Sequence, residues 1–280
     1  MCLLRCIFEI PAALGIACEL GNLVQLNEYE LVRQVQGHHW WWVGREKIIR
    51  TLVGEHVDTS VKLSIADVGC GFGANISMLR QYGDVTGLEL NAEAIEIIKT
   101  KWGNSVSTVR WNSPDPISSR FDLMLLGDVL EHIPDDAGAI HWIYDHLLDG
   151  GQALITVPAH QFMWTQMDDV LDHHRRYSKK TLLDLFDDRF EIVYCSYYNM
   201  ILFPVKVGFV LFDRLKNFFN PRAIKRSYNE VPPYFINTIF KYTLIFESLF
   251  IRFCVLPFGV SLVCLIRKKQ LKTVDMKVSK

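Results

Sequence analysis

Residues 63–83 read LSIADVGCGFGANISMLRQYG, an apolar run, a glycine-rich turn and a stretch with helical spacing. Leu63, Ile65 and Val68 suit a strand buried inside a parallel sheet, and Asn75 to Arg80 repeat at helical intervals. Gly69, Gly71 and Gly73 fall in the turn, around Cys70. Glycine there tolerates positive φ and lets the backbone approach a ligand beside the N-terminus of the next helix. The following strand, VTGLEL, carries Glu89 near its end, where an acid can accept both hydroxyls of an adenosine ribose. NAD uses the same geometry, but Asp67 ahead of the turn and the short DVGCGFG spacing depart from G-x-G-x-x-G.

Working outward, strands are expected at about 64–68, 85–89, 106–110, 121–126 and 151–157, with helices between them. That alternation predicts an open parallel sheet covered on both faces. A helix near 179–187 and a sixth strand, FEIVYCSYY, follow.

The segments ADVGCGFG, GLELN, FDLMLLGDVLEHIPDD and LLDGGQALITVPA resemble, in that order, the signature segments of class I S-adenosylmethionine-dependent methyltransferases. The resemblance covers about residues 60–190. It is nearest to the group of quinone-biosynthesis and cell-envelope-associated methyltransferases, in which His39–Arg45 (HWW-x-x-GR), His173–Tyr177 (H-x-RRY) and Pro257–Ser261 (PFG-x-S) have counterparts. It implies S-adenosylmethionine as cofactor and an α/β, Rossmann-like, seven-stranded, mostly parallel sheet. Asp67, Gly69 and Gly71 would line the methionine end, with Cys70 and Gly73 in the same turn, and Glu89 would hold the ribose. Leu90 and Trp111 are candidate adenine walls. Asn112 stands where the family usually has an acid facing the adenine amine. Asp128 and His132 face the methyl group and acceptor.

The family also implies a seventh, antiparallel strand joined to the sixth by a short hairpin. Here GVSLVCLIRKK, residues 259–269, supplies that strand only after an apolar stretch, so 198–257 read as a helical insertion before it. The expected organisation is a helical lid over 1–60, a cofactor-binding core over 61–197, the insertion, and a final strand with a basic tail over 258–280. Lys206, Lys241, Glu247 and Arg252 interrupt the apolar runs, so none reaches the length of a membrane span. On a helical wheel Asn237, Lys241, Ser248 and Arg252 form one narrow polar stripe. The wide apolar face left over would pack on the sheet, line a pocket or lie on a bilayer. Arg214, Lys216, Arg222, Lys225 and Arg226 would then meet anionic headgroups or form a solvated linker.

In DHHRRYS, residues 172–178, His173 is the first candidate base for removing a hydroxyl proton, with His132 and His160 behind it and Asp128 beside them. Arg175 and Arg176 would grip a phosphate or carboxylate and Tyr177 would orient it, or the arginines pin the loop through Asp168, Asp169 or Asp172. Trp42 and Arg45, in GHHWWWVGREKII, are placed near cofactor or acceptor on a lid, the alternative being packing against the sheet edge. No metal is expected, a pairing of Asp128 with Asp169 being thin support for magnesium.

Bulk properties agree with an enzyme of this kind. The chain has 280 residues, 50% hydrophobic and 22% charged, with a formal net charge of −1. Without a massed basic segment it does not read as a nucleic-acid binder. Seven scattered cysteines lack a C-x-x-C pair and suit a reducing cytoplasm, and Arg5 and Glu9 break any signal-peptide core. The reading is O-methylation of a small or lipid-linked acceptor at the cytoplasmic side, peripheral to the membrane if the insertion touches it. The rivals are a cofactor-binding module without turnover and a dehydrogenase on the same fold.

Overall fold

A computed structural model of the chain describes residue 31, residues 33–219 and residues 231–270. Expectations about residues 1–30, about Arg222, Lys225 and Arg226, and about the tail from 271 onward lie outside the described residues.

In chain order the elements are α1 (Trp40–His56), β1 (Leu63–Val68), α2 (Ile76–Leu79), β2 (Gly83–Glu89), α3 (Ala92–Trp102), β3 (Ser107–Arg110), β4 (Phe121–Gly127), α4 (Asp136–His146), β5 (Leu147–Pro158), α5 (Gln166–Val170), α6 (Lys179–Leu183), β6 (Phe190–Tyr198), α7 (Phe203–Phe219), α8 (Tyr234–Ile251) and β7 (Ser261–Lys268). The seven strands form one sheet in the order β3-β2-β1-β4-β5-β7-β6. β7 runs antiparallel between β5 and β6, and the other neighbours are parallel. The fold is therefore the expected α/β Rossmann-like sheet, with the last strand inserted between its two predecessors.

Alternation along the central strands splits the core in two. Ala66, Val68, Met124 and Leu126 face α4, while Leu63, Ile65, Leu123 and Leu125 face α1, whose Ile48, Ile49, Leu52 and Val53 are buried. Strands with apolar side chains on both faces cannot sit at a solvated surface, which is why this sheet needs helices on each side. Two boundaries differ from expectation. β5 begins at Leu147, which pairs back onto Phe121 across an irregular register, and the helix expected at 179–187 ends at Leu183 in a turn.

Of the arrangements its sequence left open, α8 does not take the one packed on the sheet. Asn237 and Glu247 point inward, because they terminate other elements. Asn237 accepts from the Trp40 N–H (2.8 Å) and donates to the His38 carbonyl (3.0 Å), closing the start of α1. Glu247 accepts the N–H groups of Asn199, Met200 (2.8 Å) and Ile201 (3.1 Å) just after β6. Ser248 is buried beside it, Lys241 is half-buried and Arg252 is exposed. Leu244 meets α1 at Gly44, where an added Cβ would come within 2.4 Å of it, so the two helices touch along a line only glycine permits. The wide apolar side of α8 does not pack on the sheet. It faces outward. Among the described residues no helix is long and apolar enough to cross a membrane.

Candidate active site

The carboxyl ends of β1, β2, β3 and β4 open on one cavity of about 660 Å³, a volume suited to a ligand of cofactor size. Its wall includes the turn after β1 (Gly69, Cys70, Gly71), Glu89 at the end of β2 with Leu90 after it, Trp111 and Asn112 after β3, and Asp128 and His132 after β4. Gly69 and Gly71 both have positive φ (63° and 51°). A side chain on Gly69 would collide with Val129 at 2.7 Å, whereas the position facing Gly71 is open, leaving bare backbone toward the cavity. Glu89 is pinned across the turn, accepting from the Gly71 N–H (2.8 Å) and the Asn91 N–H (2.9 Å). Each carboxylate oxygen keeps a further lone pair for a ligand hydroxyl.

Two expected members of this wall lie behind it. Asp67 is buried beneath the turn, where burial pushes its carboxyl up to about 7 against the hydrogen bond from Asn75 and the nearby charge of Arg45. Its Oδ2 is buried with no hydrogen-bond partner among the described residues. Gly73 has φ 78°, and its Cα packs under the Trp102 ring, where a Cβ would come within 2.7 Å.

A second cavity, of about 430 Å³, shares Trp42, Arg45, Asp128 and His132 with the first and extends away between α1, α7 and α8. Aromatic rings dominate it. Trp40 packs edge-on to Phe240, Trp41 stacks on Tyr198 and Trp42 lies over the Arg45 guanidinium at 4.6 Å, so the three consecutive tryptophans meet three different partners and all line this space.

The shared wall is stiff. Asp128 has φ 58°, a left-handed conformation that aspartate tolerates better than most residues, and its N–H donates to the Thr156 carbonyl (3.1 Å). The Thr156 hydroxyl donates to Asp128 Oδ1 (3.0 Å), and buried Arg45 bonds Oδ2 and the Gly127 carbonyl. Burial opposes the charge on Arg45, but Asp128 more than restores it. Burial and His173 push His132 down to about 4, so its imidazole is neutral. Glu131 is fully buried, both its oxygens without a hydrogen-bond partner among the described residues, and burial, with Asp128 nearby, pushes its carboxyl well up. Ligating atoms of Glu131, His132 and His173 lie within 4.8 Å of one another.

His173 and Arg176 converge on Asp168. His173 Nδ1 lies 2.9 Å from Asp168 Oδ1, and Arg176 donates to the same carboxylate through Nε (2.7 Å) and Nη2 (3.1 Å). The Thr165 N–H adds a fourth donor at 2.8 Å. Burial opposes ionisation of Asp168, yet the bonds from His173 and Arg176 hold it well below the usual carboxylate range. An ionised carboxylate only accepts, so His173 Nδ1 is the donor in this bond, which leaves Nε2 for another partner. Lys206, on α7, lines the same cavity, and burial with the neighbouring Arg176 lowers its ammonium to about 8.

Of the rest of DHHRRYS, Asp172 lines the first cavity, whereas Arg175 and Tyr177 are held away from both. Arg175 donates to the Ile133 (2.8 Å) and Pro134 (2.7 Å) carbonyls and pairs with Asp136. Tyr177 is buried with its hydroxyl on Asp136 (2.9 Å). His160 has φ 62°, and its ring stacks on Tyr197 at 5.0 Å. None of these three lines either cavity. Asp169 bonds the Trp164 indole N–H (3.0 Å) and lines neither cavity, so it makes no metal pair with Asp128. Sequence reasoning offered Asp168 only as a loop pin and missed Glu131 and Lys206 as wall residues. The i, i+3, i+4 spacing of Asp128, Glu131 and His132 was the available signal, but nothing in it announced burial.

A family model described as a methyltransferase domain matches residues 29–193, more than half the chain. The protein belongs to the methyltransferase-domain family, and its fold is that of the class I S-adenosylmethionine-dependent methyltransferases. It is 25% identical over 111 residues to the ubiquinone biosynthesis O-methyltransferase of Erwinia tasmaniensis, a match covering 37% of this chain and 46% of that protein. With the protein of the same name from Nitrosomonas europaea it shares 29% over 118 residues, 37% of this chain and 50% of the other. The chain thus spans about half the length of the curated relatives it matches. Among solved structures, the plantazolicin methyltransferase BpumL, in complex with a triazolic desmethylPZN analog and SAH, superposes with TM-score 0.53 at 12% identity over 90% of this chain and 99% of that one. Coclaurine N-methyltransferase, bound to N-methylheliamine and SAH, gives 0.52 at 16% over 80% and 72%.

Proposed function

We propose that the protein transfers a methyl group from S-adenosylmethionine to a hydroxyl oxygen of a small or lipid-linked acceptor, at the cytoplasmic side and peripheral to the membrane. The single observation carrying this reading is the pair of cavities meeting at Asp128 and His132, one walled by backbone and Glu89, the other by aromatic rings and the His173–Asp168 pair. When bound, S-adenosylmethionine supplies a methyl group on a positively charged sulfur. The donor set fits it. Glu89 has capacity left for the ribose hydroxyls, Leu90, Trp111 and Asn112 would hold the adenine, and the bare backbone at Gly69 and Gly71 would admit the rest of the cofactor. The orphaned Asp67 oxygen beneath the turn supplies negative potential there once the carboxyl ionises.

Displacement at a methyl group asks the protein chiefly to align the acceptor and take its proton. His173 Nε2 takes the hydroxyl proton while Asp168 steadies the imidazolium that results. Arg176 and Lys206 hold an acidic or phosphate part of the acceptor, and the tryptophans hold its apolar or aromatic body. A base beside the cavity favours oxygen as the acceptor atom, as does the name O-methyltransferase carried by the curated relatives.

Calorimetric titration with S-adenosylmethionine and S-adenosylhomocysteine, beside Glu89→Ala and an NAD control, tests the cofactor half. Radiolabelled methyl transfer to envelope lipid extracts by wild type and His173→Ala tests the acceptor half. Cofactor binding without turnover on any extract would leave a binding module. Failure of a folded sample to bind either adenosyl ligand would end the proposal.

A further inference from the structure

The outer side of α8 carries Phe235, Ile239, Tyr242, Phe246 and Leu249 at helical spacing, continued by Phe253 just beyond its end, and each is 45% to 77% exposed. α7 adds Leu211, Phe212 and Leu215, all more than half exposed. Scattered exposed apolar residues are ordinary, whereas a stripe of this length marks a surface that something covers. Val205 and Phe209 of α7 are exposed too, and both line the acceptor-side cavity, so that cavity is continuous with the apolar surface.

Charge identifies the occupant. Residues 199–258 hold eight Lys and Arg against three Asp and Glu, a formal +5, which leaves −6 for the rest of a chain whose total is −1. Asp213 and Glu247, two of those three acids, are buried, while Arg214 and Arg252 are exposed. The Arg252 guanidinium lies 4.8 Å from the Phe253 ring and the Lys241 ammonium 5.0 Å from that of Tyr242, pairing cation with aromatic as an interface between headgroups and acyl chains requires. A second copy seated on the same surface would set like charges, Arg214 and Arg252 among them, against each other.

We infer that the outward side of the α7–α8 segment seats the protein on an anionic bilayer, and that the acceptor passes from the leaflet into the cavity beside Val205 and Phe209. The second clause rests on the proposed acceptor site. The first does not.

Sedimentation of the full chain with phosphatidylcholine vesicles containing about 30% phosphatidylglycerol tests it, beside pure phosphatidylcholine vesicles and a salt series. About tenfold tighter binding to the anionic vesicles, weakened by salt, is the expected result. Phe235→Glu with Phe246→Glu, which line neither cavity, should lower that binding by about tenfold or more while leaving S-adenosylmethionine titration unchanged, which also certifies the fold. Equal or absent binding to the two vesicle types, or a doubly substituted chain that binds like wild type, overturns the inference. So does a dimer by light scattering with no vesicle binding, which gives the surface to a second copy. Binding gained only after removal of residues 1–30 gives it to that segment and likewise overturns the inference. Because sedimentation involves no methyl transfer, its failure leaves the cofactor titration and the extract assay standing, and theirs leaves it standing.

Discussion

The two cavities share a wall and are built in opposite ways. The cofactor-side cavity is made chiefly from strand ends and the backbone of one short turn, most of its parts lying in order along residues 69–133, with Trp42 and Arg45 of α1 and residues 170–172 closing it. The acceptor-side cavity gathers side chains from α1, the loop around His173, α7, α8 and the start of β7, spread over more than two hundred residues. The first is rigid because Glu89 and the glycines are locked by backbone hydrogen bonds. The second depends on a few buried side-chain pairs, above all His173 and Arg176 on Asp168. A cavity made of backbone tolerates side-chain drift around it, whereas one made of side chains can be reshaped for a new acceptor without disturbing the sheet.

Substitutions sharpen that contrast. The largest expected effect is His173→Ala, which should lower kcat by about 10²- to 10⁴-fold while leaving S-adenosylmethionine affinity unchanged. Asp168→Asn should follow it with a smaller loss and an altered pH profile, since the amide no longer fixes the imidazole. A His173→Ala protein of wild-type turnover would remove the base from this cavity. On the other side, Glu89→Ala should weaken S-adenosylmethionine by about tenfold or more in calorimetry, the scale of lost hydrogen bonds to a charged group, and lower the melting temperature as the Gly71 and Asn91 N–H groups lose their acceptor. Next comes Gly69→Ala. Positive φ and contact with Val129 at 2.7 Å should cost about 1–3 kcal/mol in urea unfolding, and Gly71→Ala, with open space before it, should cost less. Equal losses would mean the turn yields more readily than its geometry implies.

How much of this was legible in the sequence follows the same division. The glycine turn, Glu89 and the strand ends are local, and periodicity with turn chemistry placed them within a residue or two, including β7 far down the chain. The acceptor side was only half legible. DHHRRYS was legible as a cluster of base and cation candidates, but which of its side chains turn inward depends on Asp168 and Asp136, and spacing alone could not divide Arg175 from Arg176. The wheel for α8 found a real polar stripe but left open whether the apolar side packs on the sheet, lines a pocket or lies on a bilayer. Asn237 and Glu247 were taken up in closing α1 and the chain after β6, and a wheel carries no record of another element's unsatisfied N–H groups.

The smallest expected effect isolates the buried carboxyl beneath the cofactor-side turn. Asp67 ionises near pH 4 in the unfolded chain, whereas burial raises it to about 7 in the fold. Between those values unfolding releases a proton, so the contribution of Asp67 to stability is complete below about pH 4, is lost as pH rises through about 7, and is level above that. Asp168 has the opposite sign. Its folded carboxyl is held low, so its contribution is present at neutral pH and lost only on acidification below the ordinary carboxylate range. Comparing urea midpoints of wild type and Asp67→Asn from pH 5 to 8 separates the two, because the variant keeps Asp168 and removes only the raised group. Wild type should lose stability relative to the variant as pH rises, by at most about 1.4 kcal/mol per pH unit, with the difference flattening above about pH 7. Parallel curves would mean that Asp67 is ionised in the fold with its free oxygen hydrated, and that the turn is supported by water as well as by glycine.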